Sequence, residues 1–325
     1  MRRTKIELGQ SCWANIVKIS AAAVLMMACV PTRAVAQEKG QKTFSSAEAA
    51  SQALVKAAES NDEKAMLEVL GPDGKDIVSS GDPVEDKQNR ENFARRFEQM
   101  HRLVREPDGT TTLYIGAENW PAPIPLLRKS NVWYFDTEAG KKEILYRRVG
   151  RNEIWTIRVC EELVKAQKEY FAAQHEYAQK IFSDDEQKNG LYWKAAPGEA
   201  QSPMGPMVAA AVTQGYAAHK DSVPTPYHGY LYHTLLAQGK SAPGGAKSYI
   251  SSGKMTDGFA FVAYPAAYRS SGVMTFIVGS DGVVYEKDLG KKTETEAKAM
   301  KSFSPDSTWH KAENEQEATN TQNTK

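Results

Sequence analysis

The segment GFAFVAYPAAYRSSGVMTFIVGSDGVVYEKDL, residues 258–289, contains three apolar runs separated by turn-forming residues. Short runs rich in Val, Ile, Phe and Tyr between glycines are typical of β-strands, so we predict strands over 258–265, 272–279 and 282–289. Ser280-Asp281, with a glycine on each side, predicts a hairpin between the last two strands. This part of the chain therefore favours an antiparallel sheet.

The segment before it extends the same pattern. YHGYLYHTLLAQ, residues 227–238, predicts a further strand, and a short helix is predicted over 207–218. We expect residues 188–310 to form a C-terminal domain built on an antiparallel β-meander with short helices. Residues 311–325 have no apolar side chain larger than alanine, which predicts a disordered tail.

The first third of the mature chain has helical periodicity instead. Ser45 or Ser46 can cap the first predicted helix, whose apolar residues recur at helical spacing. The third helix carries arginines on the face opposite its apolar stripe, which we interpret as a solvated surface. These arginines are Arg90, Arg95 and Arg96. The predicted elements are helices over 45–60, 62–70 and 86–105 and strands over 111–118 and 130–137.

Two helical signals follow. EAGKKEILYRRV, residues 138–149, predicts a helix that ends at Gly150, since glycine suits the position after a helix C-terminus. The longest helical signal runs from 152 to 182, about 45 Å at 1.5 Å per residue. The predicted fold class is α+β, with an N-terminal domain (41–150) that has a small sheet, a connecting helix (151–183) and the C-terminal sheet domain.

The N-terminus predicts export. A basic lead-in, an apolar run at 19–30 and the small residues Ala34-Val35-Ala36 form a secretory signal over residues 1–36. Cys29 offers an alternative, a lipid anchor after cleavage. The expected location is periplasmic or extracellular, without a transmembrane segment in the mature chain.

Charge and cysteine content exclude several classes. The leader holds five of the 41 Lys and Arg and one of the 40 Asp and Glu, so the mature chain has a net charge near −3. A nearly neutral chain without a basic block is a poor nucleic-acid binder. Cys160 is the single cysteine after the leader, which excludes an internal disulfide and indicates ordinary packing.

The sequence contains no convincing catalytic or metal motif. His228 and His233 are five residues apart, so in one strand they point to opposite faces and cannot share a metal. Ser251 and Lys254 match the S-x-x-K spacing, but they lie in a glycine-rich loop instead of a helix. We expect no cofactor, no metal and no catalytic residue.

Two clusters are candidate binding sites. Glu143, Arg147 and Arg151 follow one another at four-residue spacing, which indicates either an anion-binding cluster or a salt-bridge network between domains. Tyr264, Tyr268 and Arg269 indicate a recognition patch, although cross-strand aromatic pairing explains most aromatic residues of this region without a ligand. Asp82, Trp133 and Asp136 are further residues able to line a pocket. 

Several segments together resemble a known family. These are WPAPIPL (120–126), GRNEI (150–154), GLYWKAAPGEAQSPMGP (190–206), PTPYHGYLYHTLLAQGKSAPGGAKSYI (224–250) and GKMTDGFAFVAYPAAYRSSGVMTFIVGSDGVVYEKDLG (253–290). In this order they are similar to the bacterial family DUF2950, over about residues 41–310. The resemblance implies an exported bacterial protein and supplies no activity. The C-terminal part also looks like the globular domain of pilin-like and pseudopilin proteins, in architecture only.

Two functions follow as hypotheses. The first is a non-enzymatic binding or scaffolding module of the cell envelope, whose partner is an envelope protein or a glycan. The alternative is a hydrolase acting on an envelope substrate near Glu143, Arg147 and Arg151. A cavity that collects these side chains would favour a site there.

Overall fold

Capped helices begin the described part of the chain. The computed structural model describes residues 40–185, 187–216 and 225–312, all within one compact unit, Glu38–Lys325. The predicted leader, Cys29 and residues 313–325 of the predicted tail lie outside the described residues. The N-terminal helices are α1 (Ala47–Glu59), α2 (Glu63–Leu70), α3 (Lys75–Val78) and α4 (Pro83–Gln99).

Side-chain caps fix where these helices start. The Ser46 hydroxyl accepts a hydrogen bond from Ala49 N, and the Asp62 carboxylate accepts one from Ala65 N. Each cap satisfies a backbone donor that the first turn leaves unpaired. The predicted helices over 45–60 and 62–70 are therefore confirmed.

A five-stranded antiparallel sheet follows the helices, in the order β1-β2-β4-β5, with β3 paired to β2. The predicted helix over 86–105 is wrong at both ends, since α4 spans Pro83–Gln99. Met100 adopts an extended backbone (φ −167, ψ 138), and His101–Arg105 pairs with Thr111–Ile115. The strands are β1 (His101–Arg105), β2 (Thr111–Ile115), β3 (Trp120–Pro121), β4 (Leu126–Lys129) and β5 (Val132–Phe135).

One long helix, α5 (Thr137–Gln174, 38 residues), joins the two parts of the molecule. The predicted helix end at Gly150 is wrong, because the backbone there stays helical and α5 continues through it. The predicted helix over 151–183 also ends too late: His175 adopts a left-handed conformation (φ 58) and closes α5. The predicted domain boundaries stay a prediction.

The C-terminal part is an antiparallel meander in the strand order β15-β13-β12-β11-β6. The predicted hairpin is confirmed, since Val278 pairs with Val284 across the turn at 280–283. The elements are α6 (Gly205–Thr213), β6 (Tyr230–Leu235), β7 (Ala237–Gln238), β8 (Lys247–Ser248), β9 (Ile250–Ser251), β10 (Lys254–Met255), β11 (Ala260–Pro265), β12 (Thr275–Gly279), β13 (Val284–Lys287), α7 (Thr293–Ala299), β14 (Ser302–Phe303) and β15 (His310–Lys311). Together with the N-terminal helices and sheet, this confirms the α+β class.

The start of the predicted tail is wrong. Lys311 pairs with Tyr285, and Ala312 is buried at the edge of the sheet. The ordered sheet therefore extends to residue 312. Within the described ranges, no helix has both the length and the apolar character that crossing a bilayer requires.

Every residue of β11 and β12 is buried, and the second half of α5 packs against this sheet. Cys160 lies on that part of α5 and is fully buried, which confirms its predicted packing role. Burial raises the pKa of the Cys160 thiol to about 12. A thiol with such a pKa is protonated and inert at neutral pH.

Candidate functional site

A cavity of about 630 Å³ lies between the N-terminal helices, the first sheet and the first half of α5. Its volume falls in the range of about 300–1,000 Å³ that is typical of small-molecule sites. Side chains from α1, α2, α3, α4, β2, β3, β5 and α5 line it, together with residues 122–124 that follow β3. This cavity is the candidate functional site.

The floor of the cavity is apolar. The buried residues that line it are mainly aliphatic and aromatic side chains from helices and strands. They include Leu54, Ala58, Met66, Leu70, Leu113, Ile115, Ile124 and Phe135. Such a surface gains free energy when an apolar ligand removes it from water, about 25 cal/mol per Å².

The rim carries a high density of arginines. Six line the cavity: Arg90, Arg95, Arg96, Arg147, Arg148 and Arg151. Three of them lie on α4 and three on α5, so the two helices present guanidinium groups to the same space. The predicted solvated arginine face of α4 is wrong for Arg90, which is buried.

Two of these arginines hold the fold together. The Arg148 guanidinium donates to Asp76 O and Ile77 O at 2.7 and 2.8 Å. Arg90 donates to Val78 O at 2.9 Å and to the Asn61 side chain at 2.6 Å. Both side chains are buried and satisfy backbone carbonyls of α3, so their role is structural.

The structure brings two of the three predicted residues of the α5 cluster to the cavity. Arg147 and Arg151 line it, whereas Glu143 does not. Glu143 accepts a hydrogen bond from Arg147 Nε at 2.7 Å, and both side chains are about half exposed. The binding role of these three residues stays a prediction.

The partner of Arg151 was missed from the sequence. Arg151 forms an ion pair with Glu85 on α4, whose side chain is only 8% exposed. The other Glu85 oxygen is 3.4 Å from the Asn152 side-chain nitrogen. This pair joins α4 to α5 at the edge of the cavity.

Of the described residues that line the cavity, Asp86 is the one with an acidic side chain. Its carboxylate accepts a hydrogen bond from Ser80 N at 2.9 Å. Burial raises the pKa of Asp86, and this outweighs the lowering by its hydrogen bonds with Ser80 and by the nearby Arg148 and Arg90. A carboxyl with a raised pKa in a cavity is a functional-site candidate.

Asp82 connects the cavity helix α4 to the C-terminal part. One carboxylate oxygen caps α4 by accepting from Val84 N and Glu85 N, while the other accepts from Tyr216 and Gly229. Both of the latter bonds are 2.9 Å long, and Asp82 is 1% exposed. Asp82, Trp133 and Asp136 do not line the cavity together: Asp136 caps α5, and Trp133 pairs with Phe44.

The two histidines of the C-terminal part do not meet. His228 lies before β6 with a left-handed backbone (φ 49) and stacks on Trp155 with ring centroids 4.7 Å apart. Its Nε2 is buried without a hydrogen-bond partner among the described residues, and burial lowers its pKa. His233 Nε2 lies 3.0 Å from Ala297 O instead.

The described residues contain no group of three His, Cys, Asp or Glu side chains placed to hold a metal ion. Ser251 and Lys254 are opposite each other in the β9–β10 hairpin, and both are exposed. The predicted absence of a metal, a cofactor and a catalytic residue stays a prediction.

The predicted recognition patch is divided. Tyr264 is 3% exposed and packs in the core beside His233, so it cannot contribute to a surface patch. The Tyr268 hydroxyl donates to the Asp288 carboxylate at 3.0 Å, and the Arg269 guanidinium lies 5.5 Å from the Tyr268 ring. A binding role for Tyr268 and Arg269 stays a prediction.

The fold and site define an α+β protein with a ligand-sized, arginine-rimmed cavity. Residues 41–312 match the family described as "Protein of unknown function (DUF2950)". The match covers most of the chain, so the chain belongs to this family, as its sequence resemblance predicted. No curated protein and no solved structure matches it, and the likeness to pilin-like domains is not shown.

Proposed function

We propose that this is an exported cell-envelope protein that binds a small, partly apolar molecule in the arginine-rimmed cavity. The predicted signal at residues 1–36 supports export to the periplasm or the outside of the cell. The apolar floor and polar rim support binding. An envelope protein or glycan as a further partner remains part of the hypothesis.

The observation that carries the proposal is a concave space of ligand size next to buried aliphatic side chains. Protein interiors normally pack as tightly as organic crystals, with few voids larger than a water molecule. A space of about 630 Å³ far exceeds a packing defect. A ligand that fills it would recover dispersion contacts on the floor.

A hydrolase acting on an envelope substrate is the second candidate. The raised pKa of Asp86 favours it, because a protonated carboxyl can serve as a general acid. In the described lining, however, no Ser, Cys, Thr or His side chain accompanies Asp86 as a nucleophile or base. Asp86 also accepts a hydrogen bond from Ser80 N, which gives it a structural role.

The test of binding uses N-phenyl-1-naphthylamine, a neutral apolar fluorescent probe, with the mature protein. We expect a saturable rise in fluorescence, lost when Ala122→Phe fills the half-buried mouth of the cavity. Ala210→Phe is the matched control, since Ala210 is exposed on α6 and does not line the cavity. Absence of saturable binding, or equal binding by Ala122→Phe and the wild type, would overturn the proposal.

The test of hydrolysis incubates the mature protein and Asp86→Asn with purified envelope material and measures released products by mass spectrometry. A hydrolase requires release by the wild type that Asp86→Asn abolishes. Release that is equal in both proteins, or absent from both, rejects Asp86 as the acid of a hydrolase.

A further inference from the structure

The arginines around the cavity are not equally engaged by the rest of the protein. Arg90 and Arg148 are buried and bonded to backbone carbonyls, and Arg151 is paired with the buried Glu85. The remaining three, Arg95, Arg96 and Arg147, have weaker partners. We call these three the mouth arginines.

Arg95 has a neutral partner. Its guanidinium donates to the Asn92 side-chain oxygen at 2.6 Å, and the pair is exposed. Among the described residues, no salt bridge neutralises its charge within 4.0 Å. A guanidinium has five donors, so Arg95 keeps the capacity to bind an anion.

The ion pairs of the other two mouth arginines are weak. Arg96 lies 3.8 Å from Glu118, with the two side chains 41% and 77% exposed. Arg147 pairs with Glu143 at 2.7 Å on the same helix, and both are about half exposed. Exposed pairs of this kind contribute about 0–1 kcal/mol, so a ligand can displace the acidic partner at little cost.

The mouth arginines also stand beside aromatic and apolar surface. The Arg147 guanidinium lies 5.8 Å from the Trp120 ring centroid, and both residues line the cavity. Stacking on an aromatic face leaves the donors at the edge of a guanidinium free for an anion. Beneath them lies the apolar floor.

We infer that the ligand of the cavity is an anionic amphiphile, an apolar body with a single carboxylate or phosphate group bound by the mouth arginines. This inference rests on the proposed binding function and names its ligand class. Arg95, Arg96 and Arg147 come from two helices that face the same space, which suits bidentate contacts from different sides. Asp86 is the single acid among the described lining residues and lies near Arg148 and Arg90, so the six arginines leave the lining with an excess of positive charge.

The experiment compares ligands that share one apolar chain and differ in the head group. Decanol, decanoate, decyl phosphate and decyltrimethylammonium are each titrated against the protein with N-phenyl-1-naphthylamine bound. We expect at least one of the two anions to displace the probe at a concentration about tenfold lower than decanol, because charge-assisted hydrogen bonds are the stronger ones. The cation should be the weakest ligand.

The variant Arg95→Gln/Arg147→Gln tests where the preference arises. It should bring the anions close to decanol, while decanol itself displaces the probe as it does in the wild type. Arg128→Gln is the matched control: Arg128 is also exposed and lies 6.0 Å from a tryptophan ring, Trp133, but does not line the cavity. It should keep the full anion preference.

The outcomes separate the two proposals. If decanol and both anions displace the probe equally well, the ligand class is wrong although the cavity binds apolar molecules. If the double variant keeps the full anion preference, Arg95 and Arg147 do not recognise the head group and the assignment to the mouth arginines is wrong. If the probe never binds saturably, the proposed function itself fails.

Discussion

The two sheets of this protein differ in how their interiors are filled. In the C-terminal part, Phe259, Phe261 and Phe276 are 0% exposed, and β11 and β12 are buried along their whole length. In the N-terminal part, buried aliphatic residues face a cavity of about 630 Å³. The C-terminal core also borders a cavity, but one of about 220 Å³, so the same chain leaves much more space beside its N-terminal core than beside its C-terminal core.

The long helix α5 contributes to both cores and shows why they are filled differently. Its second half places Cys160 and Leu163 against the C-terminal sheet, where both are fully buried. Its first half places Arg147 and Arg151 at the cavity, where about half of each side chain stays exposed. A charged side chain keeps its head group in water, so it cannot close an apolar space.

The largest expected effect comes from shortening one leucine in each core. Leu235→Ala in β6 removes a side chain that is 0% exposed in the C-terminal core and should cost about 3–5 kcal/mol of unfolding free energy. Leu54→Ala should cost about 2–3 kcal/mol, because Leu54 already faces the cavity and its truncation enlarges an existing space instead of opening a new one. Urea titrations measure both values.

This pair can break the comparison. Equal losses, or a larger loss for Leu54→Ala, would mean that the N-terminal core is as tightly packed as the C-terminal one. A bound ligand adds contacts to Leu54. With ligand present, the unfolding free energy lost in Leu54→Ala should therefore not become smaller.

The second prediction concerns Asp82, which joins the two parts. Asp82→Asn should cost about 1–3 kcal/mol, because the amide nitrogen of asparagine only donates and can accept from neither Tyr216 nor Gly229. Asp62→Asn is the matched control: Asp62 caps α2 from an exposed position, and asparagine caps a helix equally well. If both variants lose the same free energy in urea titrations, the Asp82 contacts contribute nothing beyond the cap.

Much of the fold could be predicted because local patterns carry it. The hairpin over 272–289 and the capped helices over 45–60 and 62–70 follow from turn residues and periodicity that tertiary structure does not override. Residues 101–105 could not be assigned in this way. Leu103 and Val104 fit a helical stripe equally well, and only the pairing with Thr111–Ile115 makes them a strand.

The cavity was beyond prediction from one sequence. Arg147 and Arg151 were found through their spacing on one helix, but the facing arginines of α4 were assigned to solvent. Long-range packing decides which faces of α4 and α5 meet, and local sequence patterns do not encode it. The density of arginines on both helices was the one usable hint.

The third prediction is a pH dependence at the contact between the two parts. Burial lowers the pKa of His228 below its ordinary 6.5, opposed by the attraction of Asp82 and helped by the repulsion of Arg151. The unfolded chain then binds a proton more tightly than the folded one, so stability is complete above about pH 6.5 and falls as the pH drops through it. Protonated Nε2 would also be a buried donor without an acceptor among the described residues.

Melting temperatures at about pH 7.5 and about pH 5 measure this effect. His228→Asn should lose less stability on acidification than the wild type, and asparagine tolerates the left-handed backbone at this position. His175→Asn is the control, because His175 is exposed and also left-handed (φ 58). If all three proteins respond to acid alike, His228 does not control the pH dependence.

The smallest expected effect concerns Gly150, which lies in α5 where the cavity-lining half meets the half that packs on the C-terminal sheet. An added Cβ would meet no atom within 4 Å, so Gly150→Ala should raise the unfolding free energy by about 0.5–1 kcal/mol through helix propensity alone. Gly140→Ala is the contrasting variant, since its Cβ would lie 2.8 Å from Ile124 Cα and from Pro123 O. A loss of stability or of probe binding in Gly150→Ala would contradict this prediction. It would show that α5 needs flexibility at Gly150, so the part of α5 that connects the two cores would be less rigid than a regular helix.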